Sequence, residues 1–194
     1  STQGLVGWWS FDEGSGSTVK DESGYGNDGT INGARFVPGH VARDIVEKKD
    51  EILITDVAEQ CLEFDGSDDY VNVPYSPELE ITSAFTVEAW IKHYDSGAIE
   101  EYVRGIQFSP HRTLYYLYKR NNDKPAVNFY NDTYGWAGVT EGPGTITLNV
   151  WNHVVGTWDG MTLRCYLNGN VGTPSTPGFS SSGPLQVVRI GKAD

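Results

Sequence analysis

The residues from Asn149 to Gly169, N-V-W-N-H-V-V-G-T-W-D-G-M-T-L-R-C-Y-L-N-G, limit the fold more than any other stretch of the chain. Val150, Asn152, Val154 and Gly156 fall on one side of an extended segment, and Trp151, His153, Val155 and Thr157 on the other. Asp159-Gly160 is a hairpin signal, and Leu163, Cys165 and Leu167 alternate with Arg164, Tyr166 and Asn168 on the return. Asn168-Gly169 supplies the next tight turn, because positive φ is free of steric cost at Gly and cheap at Asn. Two aromatic-flanked strands joined in this way belong to the interior of an antiparallel sheet.

The same alternation recurs along the chain. Leu5 to Phe11 is expected as the first strand, followed by an irregular Gly-rich segment, Asp12 to Gly33, with short extended pieces such as Thr30-Ile31. Cys61 to Val73 holds two strands around the turn Asp65-Gly66-Ser67-Asp68-Asp69, and Pro74 and Pro77 end them. Phe85 to Lys92 is the cleanest period-2 strand, with Phe85, Val87, Ala89 and Ile91 on one side. Further strands are expected at Tyr102–Phe108, Thr113–Tyr118, Ala126–Tyr130 and Leu185–Ile190. Loops are expected from Tyr134 to Gly144 and from Gly169 to Pro184. Val41 to Gln60 stands apart, charged and without Gly, Pro or aromatics. Either an amphipathic helix or a strand pair around Ile52-Leu53-Ile54 fits it, and a surface insertion that is helical in part is the expectation. Strands of this number and spacing predict an all-β fold, a two-sheet antiparallel sandwich formed by residues 1–194 as one domain.

Composition narrows the function classes. The chain of 194 residues has six Trp and eleven Tyr but one Met, a mix suited to pleated, half-buried surfaces. A formal net charge of −12 makes phosphate backbones and anionic lipid heads poor partners, so no nucleic acid is expected. No run of apolar residues approaches the length that spans a bilayer, so no membrane insertion is expected. The chain starts Ser1-Thr2-Gln3 without an initiator Met or signal sequence, which fits a processed protein or a domain cut from a longer one. Alternation points Cys165 into the core and Cys61 outward, so two unpaired thiols are expected.

Five pieces in order carry a resemblance. They are G-L-V-G-W-W-S-F-D-E-G-S-G with D-E-S-G-Y-G-N-D-G-T, C-L-E-F-D-G-S-D-D-Y-V, F-T-V-E-A-W-I-K, W-N-H-V-V-G-T-W-D-G with L-R-C-Y-L-N-G, and V-V-R-I-G. Together they resemble a laminin-G-like domain of the concanavalin A-like lectin/glucanase superfamily. The resemblance implies a jelly-roll sandwich with one concave sheet. It also implies a secreted or cell-surface, non-catalytic module for carbohydrate binding or adhesion, with a glycan or cell-surface protein as partner. The charged segment 41–60 is an insertion relative to that pattern. The family commonly adds a strand after R-I-G, where this sequence ends at Lys192-Ala193-Asp194, so the expectation is a domain truncated from a longer chain, or a gap filled by the inserted segment or by another copy. An unpaired edge beside Leu5–Phe11 would then invite self-association, so a subunit of a surface layer or filament is the rival expectation.

Three kinds of site follow. Asp65, Asp68 and Asp69 crowd one turn, and Asp12 and Asp21 lie in the Gly-rich opening. Oxygen donors on irregular backbone suit Ca²⁺, and relatives with these motifs hold a structural Ca²⁺, although Asp also caps turns without any ion. Sugar binding needs exposed rings beside amide or acid groups, which points to Tyr116, Tyr118, Asn128, Tyr130, Tyr134 and Trp136. Glu63-Phe64-Asp65-Gly66-Ser67-Asp68 approaches the E-x-D-x-x-E spacing of the glucanase branch. Its third acid leaves the strand at the Asp65-Gly66 turn, so no catalytic pair is expected.

Overall fold

Alternation of apolar and polar residues, broken by Gly turns, produces sixteen strands among the described residues. The computed structural model describes residues 4–48, 51–107, 113–136 and 139–191, with backbone alone at 40–48, 51–58 and 107. In chain order the strands begin with β1 (Thr18–Val19), β2 (Gly29–Asn32), β3 (Arg35–Lys48), β4 (Glu51–Glu63), β5 (Tyr70–Pro74) and β6 (Phe85–Lys92). Then come β7 (Glu100–Gln107), β8 (Thr113–Lys119), β9 (Pro125–Asn128), β10 (Tyr130–Asn131), β11 (Gly135–Trp136) and β12 (Thr140–Glu141). The last are β13 (Trp151–Trp158), β14 (Leu163–Leu167), β15 (Asn170–Val171) and β16 (Leu185–Gly191). An eight-stranded sheet has the order β1-β2-β5-β16-β7-β8-β9-β12, and a four-stranded sheet the order β15-β14-β13-β6. All pairs within them are antiparallel.

The expected hairpin supplies β13 and β14, the interior of the smaller sheet. Asn152, Val154, Gly156 and Trp158 are buried in strict alternation. Asp159 organises the turn between the two strands: its carboxylate accepts the N–H groups of Met161 and Thr162 and pairs with Arg164 at 2.6 Å. The Arg164 bond, followed by the two backbone donors, holds that carboxyl down at about 2. Asn168 and Gly169, both at positive φ, make the next tight turn as expected. Between the sheets Trp158 packs against Phe129 at 5.0 Å, and Phe129 meets Phe85 edge-on at 6.3 Å. The sheets approach closely at Gly156, where a Cβ would stand 2.5 Å from a Val127 methyl.

Cys165 is buried in this core, where desolvation raises its thiol to about 12; Cys61 is half-buried, and both are free.

Two expectations need correction. Segment 41–60 is not helical in part: β3 and β4 form one long hairpin, a two-stranded sheet of its own, with Ile45 opposite Ile54 and Val41 opposite Ala58. Its β-branched residues favour strand over helix, and the register sets Arg43 opposite Asp56 and Lys48 opposite Glu51. Leu5–Phe11 is not a strand either. Side chains hold it instead: Trp8 N–H donates to Asp21, Trp9 Nε1 to the Asn27 carbonyl, and Asn27 Nδ2 to the Val6 carbonyl. Across from it lies the edge strand β6, and between them opens a cleft of about 1360 Å³. One backbone bond, Glu22 N–H to the Trp8 carbonyl at 2.8 Å, is not a ladder, and alternation alone does not make a strand. Phe108, expected to end a strand, and Lys192–Asp194 lie outside the described residues.

Candidate functional site

The residues on the outward face of the eight-stranded sheet are fixed by register. Thr30, Asn72, Arg189, Arg104, Tyr116 and Asn128 are successive partners across β2, β5, β16, β7, β8 and β9. Their neighbours along each strand, Val71, Ile190, Val103, Leu117 and Val127, form the matching row on the core side. At the usual interstrand spacing, the row from Arg189 to Asn128 spans about 14 Å.

The row is built as a polar network over aromatic rings. Tyr116 and Tyr118, two residues apart on β8, stack at 4.2 Å with their planes 8° apart. Tyr116 Oη donates to Glu101 at 3.0 Å, and Arg104 donates from Nη1 to both Glu101 oxygens at 3.0 and 3.3 Å. Burial and then the Glu101 carboxylate push the Tyr116 phenol well above its ordinary value, so it stays a neutral donor. Asn128 is only 6% exposed; its Nδ2 reaches Tyr118 Oη at 3.5 Å while its Oδ1 has no hydrogen-bond partner. Arg189 lies with its guanidinium 4.7 Å from the centre of the Tyr70 ring, and its buried Nε has no hydrogen-bond partner. Buried polar atoms without partners are rare, because each costs about 1–3 kcal/mol. Three such atoms, Asn128 Oδ1, Arg104 Nε and Arg189 Nε, lie in this one row, which makes it the candidate site.

The structure therefore gathers Tyr116, Tyr118 and Asn128 from the sugar-site expectation. Tyr130 follows Asn128 by two residues and packs edge-on against Trp136 at 5.4 Å, at the end of the same face. Tyr134 turns elsewhere, stacking on Phe179 at 5.0 Å. Glu101, Arg104 and Arg189 were absent from the sequence-based set. A separate ring pair, Trp90 on His153 at 4.8 Å, sits on the outward side of the four-stranded sheet. Trp90 is 65% exposed there and, among the described residues, no buried polar atom without a partner lies on that outward side, so it offers a weaker site.

The five Asp residues divide. Oxygens of Asp65, Asp68 and Asp69 lie within 4.8 Å of one another, a donor set that fits a hard, oxygen-seeking cation. Asp21 is consumed as a turn organiser, accepting the N–H groups of Trp8, Ser23 and Asn27 and the Ser23 hydroxyl. Burial raises its carboxyl and these bonds outweigh that, leaving it below its ordinary value. Asp12 accepts the Gln60 N–H, apart from the cluster. Glu63, the first acid of the glucanase-like spacing, is bonded to Arg35 Nε at 2.6 Å.

A sequence profile of the concanavalin A-like lectin/glucanases superfamily matches residues 65–194. No curated protein matches the sequence. Among solved structures, Trypanosoma rangeli sialidase in complex with 2,3-difluorosialic acid aligns with a TM-score of 0.65 at 18% identity, over 100% of this chain and 28% of that one. The receptor-binding domain of botulinum neurotoxin mosaic serotype C/D aligns at 0.58 and 14%, over 89% of this chain and 39% of that one. This chain thus spans well under half the length of either, and at such identities the likeness concerns the fold.

Proposed function

The chain belongs to the concanavalin A-like lectin/glucanases superfamily, and from that premise we propose that it is a carbohydrate-binding module acting outside the cell or at its surface. The observation that carries the reading is the outward row of the eight-stranded sheet, where the Asn128 carbonyl is buried without a partner beside the stacked Tyr116 and Tyr118. Sugar C–H faces pack on such rings, and hydroxyls supply the missing donor. A fold shared with a sialidase bound to a sialic acid analogue and with a toxin's receptor-binding domain supports the class of partner. The reading is non-catalytic: Glu63 is tied to Arg35, and Glu101 to Arg104 and Tyr116. Asp65, Asp68 and Asp69 are the residues that would hold a structural Ca²⁺, which would supply charge compensation and rigidity to their turn.

An oligosaccharide microarray probed with the chain tests this reading. Binding is expected, weakened about tenfold by Tyr116→Ala, in keeping with one lost ring face and its hydrogen bond. A blank array of neutral and acidic sugars removes it. Hydrolysis of a bound oligosaccharide that disappears in Glu63→Gln would replace it with a glucanase.

The open edge of β6 favours a second reading, assembly with another copy. Val87, Ala89 and Ile91 point inward yet are only half-buried, and the cleft beside them is walled by Val6, Phe11, Leu79 and Ile190. The β3–β4 hairpin, hydrogen-bonded to neither large sheet, is the element of the second copy that would supply the added strand. Light scattering over a concentration series tests it, and a mass that stays monomeric throughout removes it.

A further inference from the structure

We propose that the saccharide bound on the eight-stranded sheet is an acidic one, and that the Arg189 guanidinium takes its carboxylate; the inference rests on the carbohydrate reading above. Arg189 and Arg104 are directly opposed on the adjacent central strands β16 and β7. Like charges in opposed positions destabilise an antiparallel pair, so each needs an anion. Arg104 has one, the Glu101 carboxylate. Arg189 has neither salt bridge nor hydrogen bond among the described residues; its contact is the face of Tyr70. Its Nε is buried and unbonded.

A sheltered guanidinium without an acceptor is costly, and the acceptor that fits its planar fork is a carboxylate, held through two parallel N–H···O bonds. The surrounding chain makes the arrangement more telling. With a net charge of −12, carboxylates outnumber cations, yet among the described residues none forms a salt bridge with Arg189. Along the row Asn128 offers the unpartnered carbonyl, about three strand spacings away. That separation suits a short oligosaccharide with its acid at Arg189 and a hydroxyl at Asn128. A sialic acid and a uronic acid present the same carboxylate chemistry.

Calorimetric titration of the full chain with two matched pairs tests the inference: sialyllactose against lactose, and trigalacturonate against its methyl ester. At least one acid is expected to bind about tenfold more tightly than its neutral counterpart, by an amount that shrinks at high salt. The pair that shows the preference identifies the source of the carboxylate. In Arg189→Gln that preference should collapse to near unity, while Arg189→Lys, which keeps the charge and loses the fork, should retain part of it. Because the Arg189 side chain makes no hydrogen bond or salt bridge among the described residues and loses only its contact with the Tyr70 ring, both variants should melt within a few degrees of the parent, which separates lost binding from lost folding. Equal affinity for acid and neutral members, or an unchanged preference in Arg189→Gln, overturns the inference and leaves the carbohydrate reading in place. Failure of all four sugars on an array-positive chain overturns it equally, and a blank array removes both.

Discussion

At the scale of single residues, the least ordinary group is Lys119, 1% exposed on β8. Its ammonium is bonded to the Ala98 carbonyl at 2.6 Å and to Asp123 at 3.0 Å. Burial, reinforced by this neighbouring cation, lowers the nearby His93 to about 4, against an ordinary 6.5. A histidine depressed in the folded state is neutral there while the unfolded chain takes up a proton. Its contribution is therefore complete above pH 6.5 and is lost as pH falls toward 4. Asp21, Asp28, Asp123 and Asp159, all held below the ordinary value of 3.8, lose theirs only at lower pH. The melting temperature should thus fall in two steps on acidification, and His93→Gln should erase the upper one. A titration melt unchanged by that substitution would show that the histidine is not the group responsible. Residue-level legibility was uneven in the same region. Tyr116, Tyr118 and Asn128 were visible because alternation along a single strand tells which side a residue faces. Arg189 and Arg104 were not, because their juxtaposition depends on β16 pairing between β5 and β7, strands far from it in sequence.

At the scale of elements, local alternation marked the strands of the two large sheets closely: β6 is Phe85–Lys92 as expected, and β13, β14 and β16 fall within a residue or two. It failed where two periods competed. The segment 41–60 carries apolar residues at spacings that serve either a helix or a strand, and only cross-strand pairing decides. Because β3 and β4 bond to each other and not to the large sheets, the hairpin arm should be dispensable. Replacing residues 41–58 by Asn-Gly, while keeping Phe36 and the buried Leu62 at its base, should leave the melting temperature within a few degrees of the parent. A collapse of the melt would mean that the arm belongs to the core. The converse holds for β13. Its Gly156 lies where the two sheets touch, with Val127 filling the space of a side chain. Gly156→Ala should cost about 1–3 kcal/mol by overpacking, read from a denaturant midpoint, whereas Gly160→Ala in the open turn strains only its own backbone.

At the scale of the whole molecule, strand order is what sequence conceals most. Leu5–Phe11 has the alternation of a strand, yet a strand exists only with a partner at ladder distance, and β6 stands across the cleft. The ends of three other strands meet at the Asp65–Asp69 turn. Asp69 fills the space beside Gly33, just beyond β2, and opens β5, while its carbonyl oxygen lies 3.1 Å from where a Gly191 Cβ would stand at the end of β16. Three carboxylates gathered there repel one another, and a cation among them would join those strand ends. A ligand that binds only the folded state at a hundred times its dissociation constant adds about 2.7 kcal/mol. For a chain of this length that is roughly 5–10 °C in melting temperature. Saturating Ca²⁺ should therefore raise the melt by several degrees, a chelator should reverse it, and Asp68→Asn should remove the response while folding normally without the ion. Identical melts with Ca²⁺ and with chelator would mean that the three aspartates shape the turn alone, with Asp65 capping Ser67 and Asp69 capping Asp65 through their backbone N–H groups.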